Sequence, residues 1–190
     1  LFRSIAAAKE LKDAATTRRA FHLTGRNFYY LGEHDSCILY MLNALEIAKQ
    51  QDSMDISARI NSFIGLSHFY LKNYDEAISR LNTSLIDAKK AGSDKLVGKA
   101  YSNLGLVYQG VGLMDSVSSN YDKAEVIAHN TQDSVNLASI YINRGLAYES
   151  DSNYTDALLY YQKSIEICKQ SNNRFHIGWA FNNAGHVFEQ

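Results

Sequence analysis

The chain has 190 residues, 46% hydrophobic and 21% charged, a composition that suits a packed fold and argues against disorder. Nineteen Lys and Arg against twenty Asp and Glu leave a net charge of −1, so the chain as a whole lacks the cationic footprint of a nucleic-acid-binding domain. No apolar run approaches the roughly 20 residues that span a bilayer, and Cys37 and Cys168 stand far apart without a CxxC partner, which supports neither a disulfide framework nor a zinc site. Proline is absent, which favours helix because proline removes a backbone donor and clashes with the preceding turn.

In chain order, the opening LFRSIAAAKEL predicts a helix over 1–12 that aligns with LNTSLIDAKKA from Leu81. A helix near 14–31 follows, centred on Gly25, with Phe21 four residues before the glycine and Phe28 three after it. At 3.6 residues per turn the two rings share one face. The turn GEHD leads to a second helix near 35–51, with Asp35 as its expected N-cap. The pattern then returns every 40 residues: Gly65, Gly105, Gly145 and Gly185 centre first helices near 54–71, 94–111, 134–150 and 174–190. Second helices near 75–91, 115–130 and 155–170 are expected to be capped by Asp75, Asp115 and Thr155, and first helices by Ser53, Ser93, Asp133 and Asn173. Four complete hairpins (14–51, 54–91, 94–130, 134–170) in one array over 1–190, flanked by a half repeat at each end, predict a fragment of a longer chain.

A glycine inside a helix costs about 1 kcal/mol relative to alanine. Its periodic return therefore implies a neighbouring helix too close for a Cβ. Small residues twelve positions on (Cys37, Ala77, Val117, Ala157) and nineteen on (Ala44, Ser84, Ala124, Ser164) form the matching surface.

YSNLGLVY at 101–108, with NYDEA at 73–77 and NYTDA at 153–157, resembles the tetratricopeptide repeat family over essentially the whole chain. The period departs from that family's usual length of about 34, and the closing proline is missing. Both departures are similar to the elongated subclass of kinesin light chains and peptide-sensing bacterial regulators. The resemblance implies an all-α solenoid, a right-handed superhelix of about ten helices in antiparallel helix-turn-helix hairpins. Its concave face, lined by first helices, would hold a peptide, and the resemblance implies no catalysis.

Groove positions in that family lie at −6, −3, −2, +1, +4 and +5 from the glycine. On this basis Arg19, Arg59 and Lys99, with Arg26, make the N-terminal half of the groove cationic, with Tyr29 and Phe69 at +4. Gln109, Glu149 and Glu189 turn the C-terminal half polar and acidic. At −2, Asn103, Asn143 and Asn183 form a ladder of amides, each able to donate to and accept from a peptide backbone; a surface polar residue or a helix-bending contact is the alternative. The carboxylate clamp of chaperone-binding members is not matched: of His22, Arg26, Phe63, Lys99 and Asn103, only Lys99 fits.

The six histidines show no metal spacing, and neither a phosphate-binding loop nor a nucleophile elbow occurs. Gly110 and Gly112 read as a helix stop and His68 as a packing residue. The expected function is a non-catalytic scaffold for a protein or peptide, the sensing or partner-docking segment of a larger regulatory protein of bacterial type. The alternative is a structural domain that self-associates into a homo-oligomer through its ends or convex face. No metal, cofactor, nucleic acid or membrane partner is expected of this segment, and a cytoplasmic setting is the working expectation.

Overall fold

The computed structural model describes residues 13–171 and 174–187. They form α1 (Ala14–Tyr30), α2 (His34–Gln50), α3 (Met54–Tyr70), α4 (Tyr74–Lys90), α5 (Asp94–Val111), α6 (Met114–Asn130), α7 (Ser134–Ser150), α8 (Tyr154–Gln170) and α9 (Arg174–Val187), with no strand among the described residues. The helix expected over 1–12, the cap at Asn173 and the residues Glu189 and Phe188 lie outside them.

Successive helices pack as antiparallel pairs, and α1, α3, α5, α7 and α9 also touch one another in turn. Among the described residues α2, α4, α6 and α8 make no such contact with each other. The odd-numbered helices therefore form the closely spaced inner layer and the even-numbered ones the splayed outer layer, the geometry of a curved solenoid.

Backbone geometry repeats at half the sequence period. Positions 32, 52, 72, 92, 112, 132 and 152 all have positive φ, at Gly32, Gly92 and Gly112 but also at Asp52, Lys72, Gln132 and Ser152. At each, the next amide donates back into the finished helix, as Glu33 does to Phe28 O at 2.9 Å and Asn73 to His68 O at 2.9 Å. This Schellman closure satisfies orphan carbonyls and sends the chain straight into the next helix. It also corrects four expected caps: the second helices are capped at Glu33, Asn73, Leu113 and Asn153, so Asp35, Asp75, Asp115 and Thr155 lie inside the first turn. The three aspartates there still face the positive end of the helix dipole. Ser53, Ser93 and Asp133 do stand at N-caps, and Asp133 accepts from Asn136 N at 3.1 Å.

The glycine column is explained by its partners. A Cβ on Gly25 would lie 3.0 Å from Met41 Cγ, on Gly65 2.8 Å from Leu81 Cγ, and on Gly105 2.6 Å from the Tyr121 ring; on Gly145 it would collide with the ring of Tyr161. Each partner stands sixteen residues after its glycine and is buried. The small residues at +12 and +19 are buried beside it, so a large side chain sits in each notch with small neighbours around it. Cys37 and Cys168 are free, buried thiols of this core.

Candidate functional site

The inner layer exposes α1, α3 and α5 side by side. Arg18, His22 and Arg26 recur every fourth residue and so share one face of α1. Across from them stand Arg59, Ser62, Phe63 and Leu66 of α3, then Leu96, Lys99 and Asn103 of α5. Two adjoining clefts result. The first is lined by Ala15, Thr16, Arg18, Arg19, His22, Ile56 and Arg59. The second, of about 300 Å³, is lined by His22, Arg26, Tyr30, Arg59, Ser62, Phe63, Leu66, Leu96, Lys99 and Asn103. His22 and Arg59 belong to both.

The electrostatics of this region are one-sided. Arg19, Arg26, Arg59 and Lys99 are exposed, and with Arg18 they make no ion pair among the described residues. Among the described residues no carboxylate lines either cleft. Burial, and then the neighbouring Arg26, Arg18 and Arg59, hold the His22 imidazole below the usual histidine range. Its ring meets Phe63 edge-on at 5.9 Å. Arg18 Nε and His22 Nε2 are buried without a hydrogen-bond partner among the described residues.

The expected groove residues thus divide. Arg26, Arg59, Lys99 and Asn103 share one cleft, and Arg19 joins Arg59 in the next. Tyr29 and Phe69 lie outside both. Tyr29 packs edge-on to Phe63 at 5.3 Å and to Tyr70 at 6.0 Å, and burial drives its hydroxyl far above the usual tyrosine range. Phe69 lies against Gly110, where an added Cβ would sit 2.6 Å from its ring. Asn143 is buried on α7, and Asn183 lines a separate shallow pocket on α9 with Phe181, Asn182, Gly185 and His186. The three asparagines therefore share a register but not a cleft.

The polar groups of the C-terminal half are drawn inward. Tyr121 Oη donates to Gln109 Oε1 at 3.3 Å, and Tyr161 Oη donates to Glu149 Oε2 at 2.6 Å. His186 Nδ1 lies 2.8 Å from the other oxygen of Glu149. Sequence reasoning missed Arg144, whose buried guanidinium bonds Asp122, lies 3.3 Å from Glu125 Oε2 and sits 5.7 Å from the Tyr121 and Tyr160 ring centres. Its column carries Thr24, Ile64 and Leu104 elsewhere, so no periodic signal could have found it. It also missed the contribution of Arg18, Leu66 and Leu96 to the clefts.

Among the described residues no group of three or more His, Cys, Asp or Glu could hold a metal ion, and no helix is long and apolar enough to cross a membrane.

The family model described as "Tetratricopeptide repeat" matches residues 137–178. No curated protein matches significantly. Among solved structures, BtubC (BKLC) from P. vanneervenii superposes with a TM-score of 0.70 at 20% identity, over 89% of this chain and 70% of that one. The Rap conjugation gene regulator of plasmid pLS20, in complex with the Phr* peptide, gives 0.72 at 12% identity, over 96% of this chain and 55% of its own. Aspartyl phosphate phosphatase F from Bacillus subtilis gives 0.66 at 15% identity, over 93% and 50%. The chain therefore spans about half the length of the last two.

Proposed function

Because the chain is a tetratricopeptide-repeat protein with the helical-solenoid fold, we propose that it is a non-catalytic scaffold that holds an acidic segment of a peptide or protein in the groove between α1, α3 and α5. The observation that carries this reading is the set of cations, Arg19, Arg26, Arg59 and Lys99, that have no ion-pair partner among the described residues and range along two clefts, the first walled by Ile56 and the second by Phe63, Leu66 and Leu96, with no described carboxylate in either. Unpaired charge beside apolar walls steers and orients an oppositely charged ligand. Asn103, in the same cleft, supplies an amide for the ligand backbone. The Phr* peptide bound by the pLS20 regulator supports a peptide as the occupant. A role as the sensing segment of a larger regulator accords with that likeness. A phosphatase shares the fold; the non-catalytic reading is supported by the makeup of the clefts, where the described residues bring together cations and apolar walls.

The test is fluorescence anisotropy with a glutamate-rich peptide flanked by leucines and its glutamine counterpart. The acidic peptide should bind, its affinity should fall steeply with salt, and Arg59→Glu with Lys99→Glu should weaken it at least tenfold without moving the urea midpoint. Equal binding of the glutamine peptide, or an unchanged affinity in the double variant, would contradict the reading.

A further inference from the structure

We propose that the junction of the two clefts, at His22 and Arg59, binds a phosphate monoester, the phosphorylated side chain of the partner segment; this rests on the peptide-binding reading above. Cations flank this point on both sides: Arg18 lines the first cleft and Arg26 the second. Arg18, His22 and Arg26 stack along one face of α1, Arg59 reaches across from α3, and His22 and Arg59 line both clefts. All three arginines act electrostatically on the same imidazole.

Within the acidic-segment groove, a cluster of cations around one point matches a dianion better than it matches a lone carboxylate. A carboxylate offers two oxygens and one charge, which a single guanidinium can match. A phosphate monoester offers three strong acceptor oxygens and up to two charges, and several arginine forks can share them. Among the described residues no counter-charge is supplied: none of their carboxylates lines either cleft, and none of the three arginines makes an ion pair with them. Arg18 Nε and His22 Nε2 are likewise without partners there. Among the described residues the charged groups facing His22 are Arg18 and Arg26 of its own helix and Arg59 of α3, with Lys99 of α5 also lining the second cleft. A dianion among them offsets the repulsion that disfavours imidazolium, so its binding raises the proton affinity of His22. Phe63, Leu66 and Leu96 beside the junction accept an apolar neighbour of the phosphorylated residue.

The experiment uses the intact chain and two probes. Inorganic phosphate is titrated while the His22 ring signals are followed by NMR; a saturable movement with a raised His22 pKa is expected, and acetate should produce neither. A fluorescein-labelled peptide with phosphoserine flanked by leucines is then compared with its glutamate and serine counterparts. The phosphoserine form should bind at least tenfold more tightly than the glutamate form. Arg59→Gln should erase that advantage, as should Arg18→Gln if its helical signal is intact; Lys99→Gln should weaken both anionic peptides alike. Equal affinity for phosphoserine and glutamate overturns the phosphate proposal and leaves the acidic-groove reading standing. Anionic peptides that bind no better than the serine peptide overturn both. A His22 signal unmoved by phosphate overturns the proposal on its own.

Discussion

The two halves of the solenoid solve the same packing problem with different chemistry. In α1–α4 the glycine notches are filled by Met41 and Leu81, and the +4 positions carry the rings of Tyr29 and Phe69. In α5–α8 the notches are filled by Tyr121 and Tyr161, whose buried hydroxyls need acceptors, and the +4 positions become Gln109 and Glu149 to provide them. The two columns change together because a buried hydroxyl without a partner is costly. Charge divides the same way. Arg144 in the C-terminal half is buried between Asp122, Glu125 and two tyrosine rings, whereas Arg19, Arg26 and Arg59 in the N-terminal half face the groove without a counter-ion among the described residues. Cations that the fold has consumed and cations that it leaves free are told apart by partners, not by residue type.

Substitution at matched positions should break this contrast if it is wrong. The largest difference is expected at the glycines. Gly145→Ala forces a methyl into the rigid Tyr161 ring and should lose about 2 kcal/mol net of the gain in helix propensity. Gly25→Ala meets Met41 Cγ at 3.0 Å and the Cys37 carbonyl oxygen at 3.3 Å, milder contacts that the gain in helix propensity largely offsets, and should change stability by less than about 1 kcal/mol. Urea midpoints measure both, and equal losses would show that the notches do not differ.

Next in size, Arg144→Met should cost about 1.5 kcal/mol, chiefly by removing the charge-assisted partner of the half-buried Glu125, since Asp122 is largely exposed, while Arg59→Met should stay within about 0.5 kcal/mol, as exposed substitutions do. Tyr161→Phe should cost about 1.5 kcal/mol because the lost acceptor is a carboxylate, and Tyr121→Phe about 1 kcal/mol because its acceptor is an amide. Thermal unfolding of the two variants ranks them; the reverse order would contradict the pairing.

The smallest effect is acid sensitivity, which should reside in the N-terminal half. Burial is the main cause that lowers both His22 and His68 there; Glu76 and Asp35 act in the opposite direction on His68. Unfolded histidine titrates near 6.5, so between the depressed folded values and that point the unfolded state binds more protons. The stabilising contribution is therefore present above about pH 6.5 and is lost as pH falls through the folded values. Urea midpoints from pH 7 to pH 5 should decline less steeply in His22→Gln than in the parent; an identical slope would remove His22 from the account.

Much of this was legible from the sequence because it recurs. Gly25, Gly65, Gly105 and Gly145 with their flanking rings announced the helices, and the resemblance they carry led to Arg26, Arg59, Lys99 and Asn103, which do share a cleft. The notch-filling column stayed hidden because Met41, Leu81, Tyr121 and Tyr161 share a location but no chemistry. Tyr29 and Phe69 were expected in the groove, yet near the end of a helix a large ring also meets the next hairpin, and burial there draws it in. Arg144 occurs once, and its role depends on carboxylates from α6 that sequence spacing does not bring to view. The positive-φ turns were invisible for a similar reason: helix packing fixes their geometry, and Lys72 or Gln132 adopts it as Gly32 does.

The central claim is that free cations, not the shared register, mark the binding face. Hydrogen-exchange mass spectrometry of the intact chain with and without the glutamate-rich peptide tests it most directly. Added protection confined to the inner helices α1, α3 and α5, lost in the Arg59→Glu, Lys99→Glu variant, is the expected result. Protection centred on α7 and α9, or spread equally along all inner helices and unaffected by the two substitutions, would contradict it.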